Sequence, residues 1–554
     1  MTNTLLGLFR FSGDEDPLAD VKTLAAWLAK QPANDDVAFQ EAMVRVLEEM
    51  GARQSRITPN RMLAVLELDR VSTPVQSRLL SQFLLPSLSD TVKQRLWNAR
   101  DDLSRWLAYT YENMYEATQE FFLAKKAKGL LPGIAARYFH HRWQQGRNGL
   151  FRYERWMPAK WQGLHALFES VLARGLALVP FALLPECGRF DRCCAEQEYL
   201  QTLLLQRINT GNLSAPQIEM AAMWLRGWSH TLALAPAPLE GPGFWLDLGL
   251  GDGLLTKKPH TARGTLLYFD IAPLQGEIGN VLGELGVQSK RAGAPGVQHE
   301  AADRLALLQR LQALWQPATG RIARRGERVA TDRAVSVVAG LVEIAAALQG
   351  AANSDGPARF RRLDPARAKD THKPVRDADA ELIYAGGDQI YGWKIHDFSE
   401  SGCRLVSQTG AEAQQKLGGL LGIREAGDSR WKIGIIRRLK KFSGGQIELG
   451  VEIVAQNALL VAPKPMASRD SGYSVDGIDV SVGGKAFDAL YLPPTQRGGQ
   501  VPQRSIVVPA HDYAERRRFQ LTVDNAAYTL EFTRALERTK DWVWSGFEVV
   551  APAQ

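Results

Sequence analysis

Trp393-Lys-Ile-His-Asp-Phe-Ser-Glu-Ser-Gly-Cys-Arg-Leu405 decides how the second half of this 554-residue chain is read. From Tyr391 to Phe398 apolar and polar residues alternate, which argues for a half-buried β-strand. The strand ends in D-x-S-x-x-G, made by Asp397, Ser399 and Gly402. Asp and Ser at a strand end present a carboxylate and a hydroxyl to one small polar ligand. Gly402 lets the chain turn away where a Cβ would collide. Many strands end in such residues, so the stretch taken alone also fits a plain polar turn.

Its neighbours narrow the choice. Upstream, Arg321-Ile-Ala-Arg-Arg-Gly-Glu-Arg328 sets Arg324 and Arg328 as R-x-x-x-R, and Arg321 with Arg325 repeats the spacing. Ala334–Leu341 follows and reads as a strand. Downstream, Ser429–Leu439 and Gln446–Val454, with Gly444-Gly445 between them, read as a β-hairpin. An Arg pair, a strand, a strand ending in D-x-S-x-x-G and a Gly-Val-Glu-Ile hairpin, in that order, resemble the PilZ domain. PilZ is a small bacterial β-barrel that binds cyclic di-GMP. The resemblance covers roughly residues 321–462, about a quarter of the chain. One departure stands out. PilZ domains place the Arg motif a few tens of residues before D-x-S-x-x-G, and here about seventy intervene. The excess is a short helix over Val342–Leu348 and then Gly350–Asp388, rich in Ala, Gly, Asp and Arg, which reads as an inserted loop.

The resemblance implies a ligand set. Arg324 and Arg328 would clamp phosphate and guanine, with Arg325 as a helper. Asp397 and Ser399 would read a guanine edge, and Gly402 would allow close approach. The residue chemistry agrees. Arg offers a planar donor fork for phosphate oxygens and a face that stacks on a purine. A carboxylate accepts from the N1–H and N2–H of guanine. The competing account of the Arg run is a solvated, charged linker.

Bulk properties set the frame. The length allows two to four domains. Hydrophobic content of 45% and charged content of 23% are those of an ordinary globular protein. The net charge of +7 is mild for this length. It permits an anionic ligand without demanding nucleic acid. Cys187, Cys193, Cys194 and Cys403 show no C-x-x-C spacing, so neither a zinc site nor a thioredoxin-like motif is expected. Few cysteines in a long chain suit a reducing cytoplasm. Met1–Arg10 has no basic start or sustained apolar core, so no signal peptide is expected. Gly175–Pro185 is short and contains Pro180, and Ala334–Leu348 carries Glu343, so neither predicts a membrane span.

Residues from about Pro17 to Ala235 read as an irregular helical array with no fixed repeat. Asp90 or Ser89 caps a helix whose apolar face includes Leu96, Leu103, Leu107 and Met114 and whose end is expected at Lys128-Gly129. Ser214 and Gln217 form a capping box, with Leu213 and Ile218 as a staple. Phe244–Gly249 and Gly264–Ile271 look like two strands, and Ala301–Trp315 like a helix. After Pro463 the segments Ala489–Pro493, Ser505–Pro509, Phe519–Val523 and Ala527–Phe532 read as strands of a second module.

Two other signals compete. Asp247-Leu-Gly-Leu-Gly-Asp-Gly253 resembles the glycine loop of S-adenosylmethionine methyltransferases, and Asp270 ends a later strand. That loop needs a following helix. Pro259 and Gly264 leave no room for one, so a β-hairpin with a glycine-rich bend is expected. Arg137–Trp161 mixes Arg142, Trp143, Arg147, Arg152, Tyr153, Arg155, Trp156 and Lys160, a pattern that can bind single strands. Helical spacing favours a packed aromatic face backed by a solvated basic one. His140-His141 have no partners at metal spacing. No catalytic signature stands out, so no catalytic residue, metal or cofactor is expected.

The fold class expected is multidomain α+β. Residues 1–318 form a mainly helical region with a β excursion near 243–274. Residues 319–465 form a PilZ-like antiparallel β-barrel with an inserted loop near 343–388, and residues 466–554 form an accessory β-module. The function expected is a cytoplasmic cyclic di-GMP receptor or adaptor acting on an unidentified protein partner. A ligand-free PilZ-like interaction protein and a methyltransferase are the alternatives.

Overall fold

Short polar side chains write the starts of the first four helices. Asp20, Asp35, Thr58 and Ser89 each sit extended just before a helix and accept from backbone N–H groups of its first turn. In this computed structural model residues 16–552 are described, except 33, 54, 183–191, 239–240, 292–294, 318–328, 355–391, 400, 408–414, 426, 429, 443–444, 467–473, 476–477, 480–483, 495–503 and 524–525. Two compact units emerge, Met1–Ile322 and Ala323–Gln554.

The first unit contains α1 (Val21–Leu28), α2 (Asp36–Ala52), α3 (Pro59–Phe83), α4 (Asp90–Ala117), α5 (Phe121–Ala127), α6 (Leu131–Phe151) and α7 (Pro158–Ala173). A short pair follows, β1 (Phe181–Ala182) and β2 (Arg192–Cys193), then α8 (Ala195–Arg207) and α9 (Ala215–Gly227). Next come β3 (Leu234–Ala235), β4 (Gly243–Asp247), β5 (Leu266–Asp270), α10 (Ala272–Arg291) and α11 (Pro295–Leu314). One hydrophobic core runs through the unit, from Leu24 and Leu47 through Leu103, Phe139 and Tyr199 to Trp315. The Ser214–Gln217 capping box forms, with Ser214 N–H donating to Gln217 Oε1 at 2.9 Å.

Two expectations fail here. The helix that Ser89 caps ends at Ala117 rather than near Lys128-Gly129. The N–H groups of Thr118, Gln119 and Glu120 switch to carbonyls three residues back, and the Thr118 hydroxyl donates to Tyr115 O at 2.6 Å. Those tighter bonds stop the helix. The basic face of α6 is also not solvated. Arg137, His140, His141 and Arg147 are all buried, because carboxylates from distant helices meet them.

The expected hairpin around Asp247 is present. β4 and β5 pair antiparallel, and the sheet order is β3-β5-β4. Asp247 is buried and accepts from Gly249, Arg263 and Gly264 N–H at 2.8–3.0 Å. The carboxylate that a methyltransferase would turn toward its cofactor instead ties both ends of the glycine loop together. Asp270 likewise accepts from Ala272 N–H at the start of α10.

The second unit opens with β6 (Val329–Ala339) and α12 (Leu341–Ser354). β7 (Trp393–Ser399), β8 (Gly402–Ser407), β9 (Leu420–Glu425), β10 (Lys432–Lys441) and β11 (Ile447–Ala455) follow. These strands close into a barrel of order β10-β11-β8-β7-β6-β9, antiparallel throughout. The pleat decides what lies inside: along β11, Ile447, Leu449, Val451 and Ile453 are buried, while Glu448, Gly450 and Glu452 are not. The helix read over Val342–Leu348 runs on to Ser354, so it takes the first residues of the stretch read as loop; 355–388 lie outside the described residues.

A second sheet contains β12 (Leu459–Val461), β13 (Lys464–Pro465), β16 (Ala489–Leu492), β17 (Ser505–Pro509), β18 (Arg518–Val523), β19 (Ala526–Arg538) and β20 (Trp542–Pro552). Its order is β12-β16-β17-β20-β19-β18-β13, and a separate pair, β14 (Ser474–Val475) and β15 (Ile478–Asp479), lies between β13 and β16 in the chain. Both faces of the sheet are covered. Ile506 and Val508 join Phe519, Phe532 and Val543 on one face. Val507 joins Leu490, Leu492 and Trp542 on the other, where they meet Ile344 of α12 and Leu420, Ile433 and Ile435 of the barrel.

Candidate functional site

The barrel sets the first residues of β6 against the end of the D-x-S-x-x-G strand. β6 and β7 are antiparallel, with Val329 opposite Phe398 and Ala330 opposite Asp397. Val329 is the residue after Arg328. The start of β6 therefore lies beside the D-x-S-x-x-G strand end, although about seventy residues separate them in sequence. Arg324, Arg325 and Arg328 themselves lie outside the described residues. Irregular register marks this edge on both sides of β7, between Ala330 and Arg333 and between Ile395 and Asp397. Such bulges re-aim side chains next to functional sites.

Asp397, Ser399 and Gly402 come together at the β7–β8 turn, with Ser399 opposite Gly402 in register. The Ser399 hydroxyl donates to Gly402 O at 3.2 Å. Ile453 N–H, from β11, donates to Ser401 O at 3.1 Å. Gly402 is needed because β11 passes directly beside it: an added Cβ would lie 2.6 Å from Val451 O. The turn is thus fastened from inside and from the neighbouring strand.

Two charged residues at this edge carry no signal in the sequence. Arg404, directly opposite Asp397 on β8, places its Nε 2.9 Å from Asp397 Oδ2 and its Nη1 3.7 Å from Glu448 Oε2. Arg333 lies 5.4 Å from the Phe398 ring centroid and 3.0 Å from a Glu425 carboxylate oxygen. Both follow from cross-strand register, which a single sequence does not display. Among the described residues there is no group of three or more His, Cys, Asp or Glu placed to hold a metal ion, and no helix is long and apolar enough to cross a membrane.

Residues 345–459 match the family model described as "Cyclic-di-GMP receptor FimW, middle PilZ domain", and residues 22–238 match "Cyclic-di-GMP receptor FimW, N-terminal domain". The chain belongs to the PilZ-domain family of cyclic di-GMP receptors. It is a cyclic di-GMP-binding signalling receptor, a binding protein by family, and the D-x-S-x-x-G turn falls inside the matched PilZ segment. Arg324, Arg325 and Arg328 precede that segment's first residue. The helical region is part of the same receptor architecture, since most of it is covered by the second match. No curated protein and no solved structure matches the chain.

Proposed function

We propose that cyclic di-GMP lies where β6 enters the barrel beside the β7–β8 turn. Arg324 and Arg328, with Arg325 assisting, hold phosphate and one guanine face. Asp397 and Ser399 read a guanine edge, and Gly402 gives the base room. The observation that carries this reading is the β6–β7 register, which sets the residue after Arg328 opposite the centre of D-x-S. Guanidinium groups and a carboxylate near one strand end complement a ligand whose ring carries anionic phosphates and whose guanines present N–H edges. The receptor acts in the cytoplasm as an adaptor. Ligand occupancy biases the contact its helical region makes with a protein partner, because a ligand shifts whichever conformer it binds better.

Isothermal titration at physiological salt tests the site. Losing one charge-assisted contact costs about 1.5–3 kcal/mol, or about ten- to hundredfold in affinity. Arg328→Ala and Asp397→Ala should each weaken binding by that much and leave the thermal midpoint nearly unchanged. No heat at high micromolar ligand with the unmutated chain would overturn the site and leave the barrel an interaction module. If Arg324→Ala and Arg328→Ala are both silent while the chain binds, the cationic clamp comes from elsewhere, with Arg359, Arg361 and Arg362 next to be tested.

A further inference from the structure

A carboxylate that reads guanine must offer two oxygens at once, in the plane of the base, to N1–H and N2–H. The terminal torsion of Asp is broad and roughly twofold, so an Asp at a strand end does not hold that plane unaided. Something must fix it, and that something must not consume the lone pairs the base needs.

Arg404 meets both conditions. Its Nε is 2.9 Å from Asp397 Oδ2 but is not aligned for a hydrogen bond, so the contact is one of charge. It orients the carboxylate without spending an acceptor site through that nitrogen. The guanidinium is held in turn, with Nη1 3.7 Å from Glu448 on β11. Gly450 stands opposite Arg404 on β11, the strand that also carries Glu448. Nε itself is shielded from water, although the side chain as a whole is 39% exposed.

We infer that Arg404 is a positioning residue that sets guanine specificity by locking the plane of the Asp397 carboxylate. The inference rests on the proposed site, in which Asp397 reads the base. Arg404 touches Asp397 rather than the ligand. Its loss should therefore be felt most by the ligand that uses both carboxylate oxygens.

The test compares cyclic di-GMP with cyclic di-IMP, whose base lacks the exocyclic amine, by titration calorimetry on the full chain. Arg404→Ala should weaken cyclic di-GMP about tenfold. It should weaken cyclic di-IMP much less, so that the preference between the two narrows. Arg404→Lys keeps the charge and lacks the planar fork, and should restore part of the preference. Made in an Asp397→Ala chain, Arg404→Ala should change nothing further. Equal losses for both ligands, or an undiminished loss in the Asp397→Ala chain, would overturn the inference and point to a direct phosphate contact or a general disturbance of the barrel. If Asp397→Ala weakens binding while Arg404→Ala is silent, the positioning role falls and the site stands. If Asp397→Ala is itself silent in a chain that binds, the site reading falls and takes this inference with it.

Discussion

The helical unit and the barrel use the same charged residue types to opposite ends. In the helical unit Asp69 is buried and meets the Arg137 fork at 2.5 and 2.6 Å, His141 at 2.9 Å and the Tyr111 hydroxyl at 2.7 Å. Beside it, Glu198 pairs with Arg226 and with His140, and Arg147 pairs with Glu219 at 3.1 Å. Arg147 and Arg226 also lie over the Trp143 ring. In the barrel the charges stand at the edge: Asp397 and Arg404 are 18% and 39% exposed, and Lys394 reaches Asp332 in the open. Burial decides which charges carry the fold and which remain within reach of a ligand.

That contrast breaks most easily at Asp69. Removing one partner of a buried pair leaves the other charge stranded, at a cost of about 3–5 kcal/mol. Asp69→Ala or Arg137→Ala should lower the stability read from the helical signal by that amount or prevent folding. A change below about 1 kcal/mol would mean the network is dispensable.

Acid should find the same weakness. Burial, then the nearby Arg137 charge, pulls His140 down to about 3 from 6.5. Burial also lowers His141. For Asp69 and Glu198 burial pushes the carboxyl up, and the paired cations more than reverse it, leaving both far below the usual carboxylate range. The sign is common to all four groups. Between about 3 and 6.5 the unfolded chain binds a proton at His140 that the folded chain refuses, so stability falls as pH falls through that window. The carboxylates add to the loss below about 4.5. The urea midpoint of the helical signal should start to decline near pH 6.5, and His140→Gln should delay the decline. A midpoint flat down to pH 5 would contradict this account.

At the barrel edge Gly402→Ala should show a smaller cost in stability, about 1–3 kcal/mol, because the new Cβ presses on Val451 O. Its effect on cyclic di-GMP binding should outweigh that cost. A variant that keeps full affinity would show that the turn has slack. The smallest effect is expected at Arg333, whose exposed pairing with Glu425 is duplicated by Lys432 at 2.5 Å. Arg333→Ala should change stability by less than about 1 kcal/mol. A larger loss would mean that the barrel, too, leans on its charges.

Several of these features are legible in the sequence alone. Alternation through Trp393–Ser399 marks a strand, and D-x-S-x-x-G marks its end, because period-two patterning and a tight turn are local properties. Ser89 and Ser214 announce their helices for the same reason. The hairpin around Asp247 follows from Pro259 and Gly264, which leave no length for a crossover helix. What the sequence hides is not local. The interior of α6 looks like a surface because Asp69 and Glu198 stand 68 and 58 residues from the partners that make its burial tolerable. The last strand, Trp542–Pro552, is hidden because its pattern follows from sitting between two other strands of the sheet.

The sequence by itself determined the helix starts near Ser89 and Ser214, the hairpin around Asp247, the strand-ending motif and the family to which that motif points. Those depend on residues within a few positions of one another. Only the tertiary structure decided which charges are buried, that Val329 stands opposite Phe398, and that Arg404 lies against Asp397. Register and burial are set when distant segments share one core, and no local pattern encodes the partner a side chain will meet there.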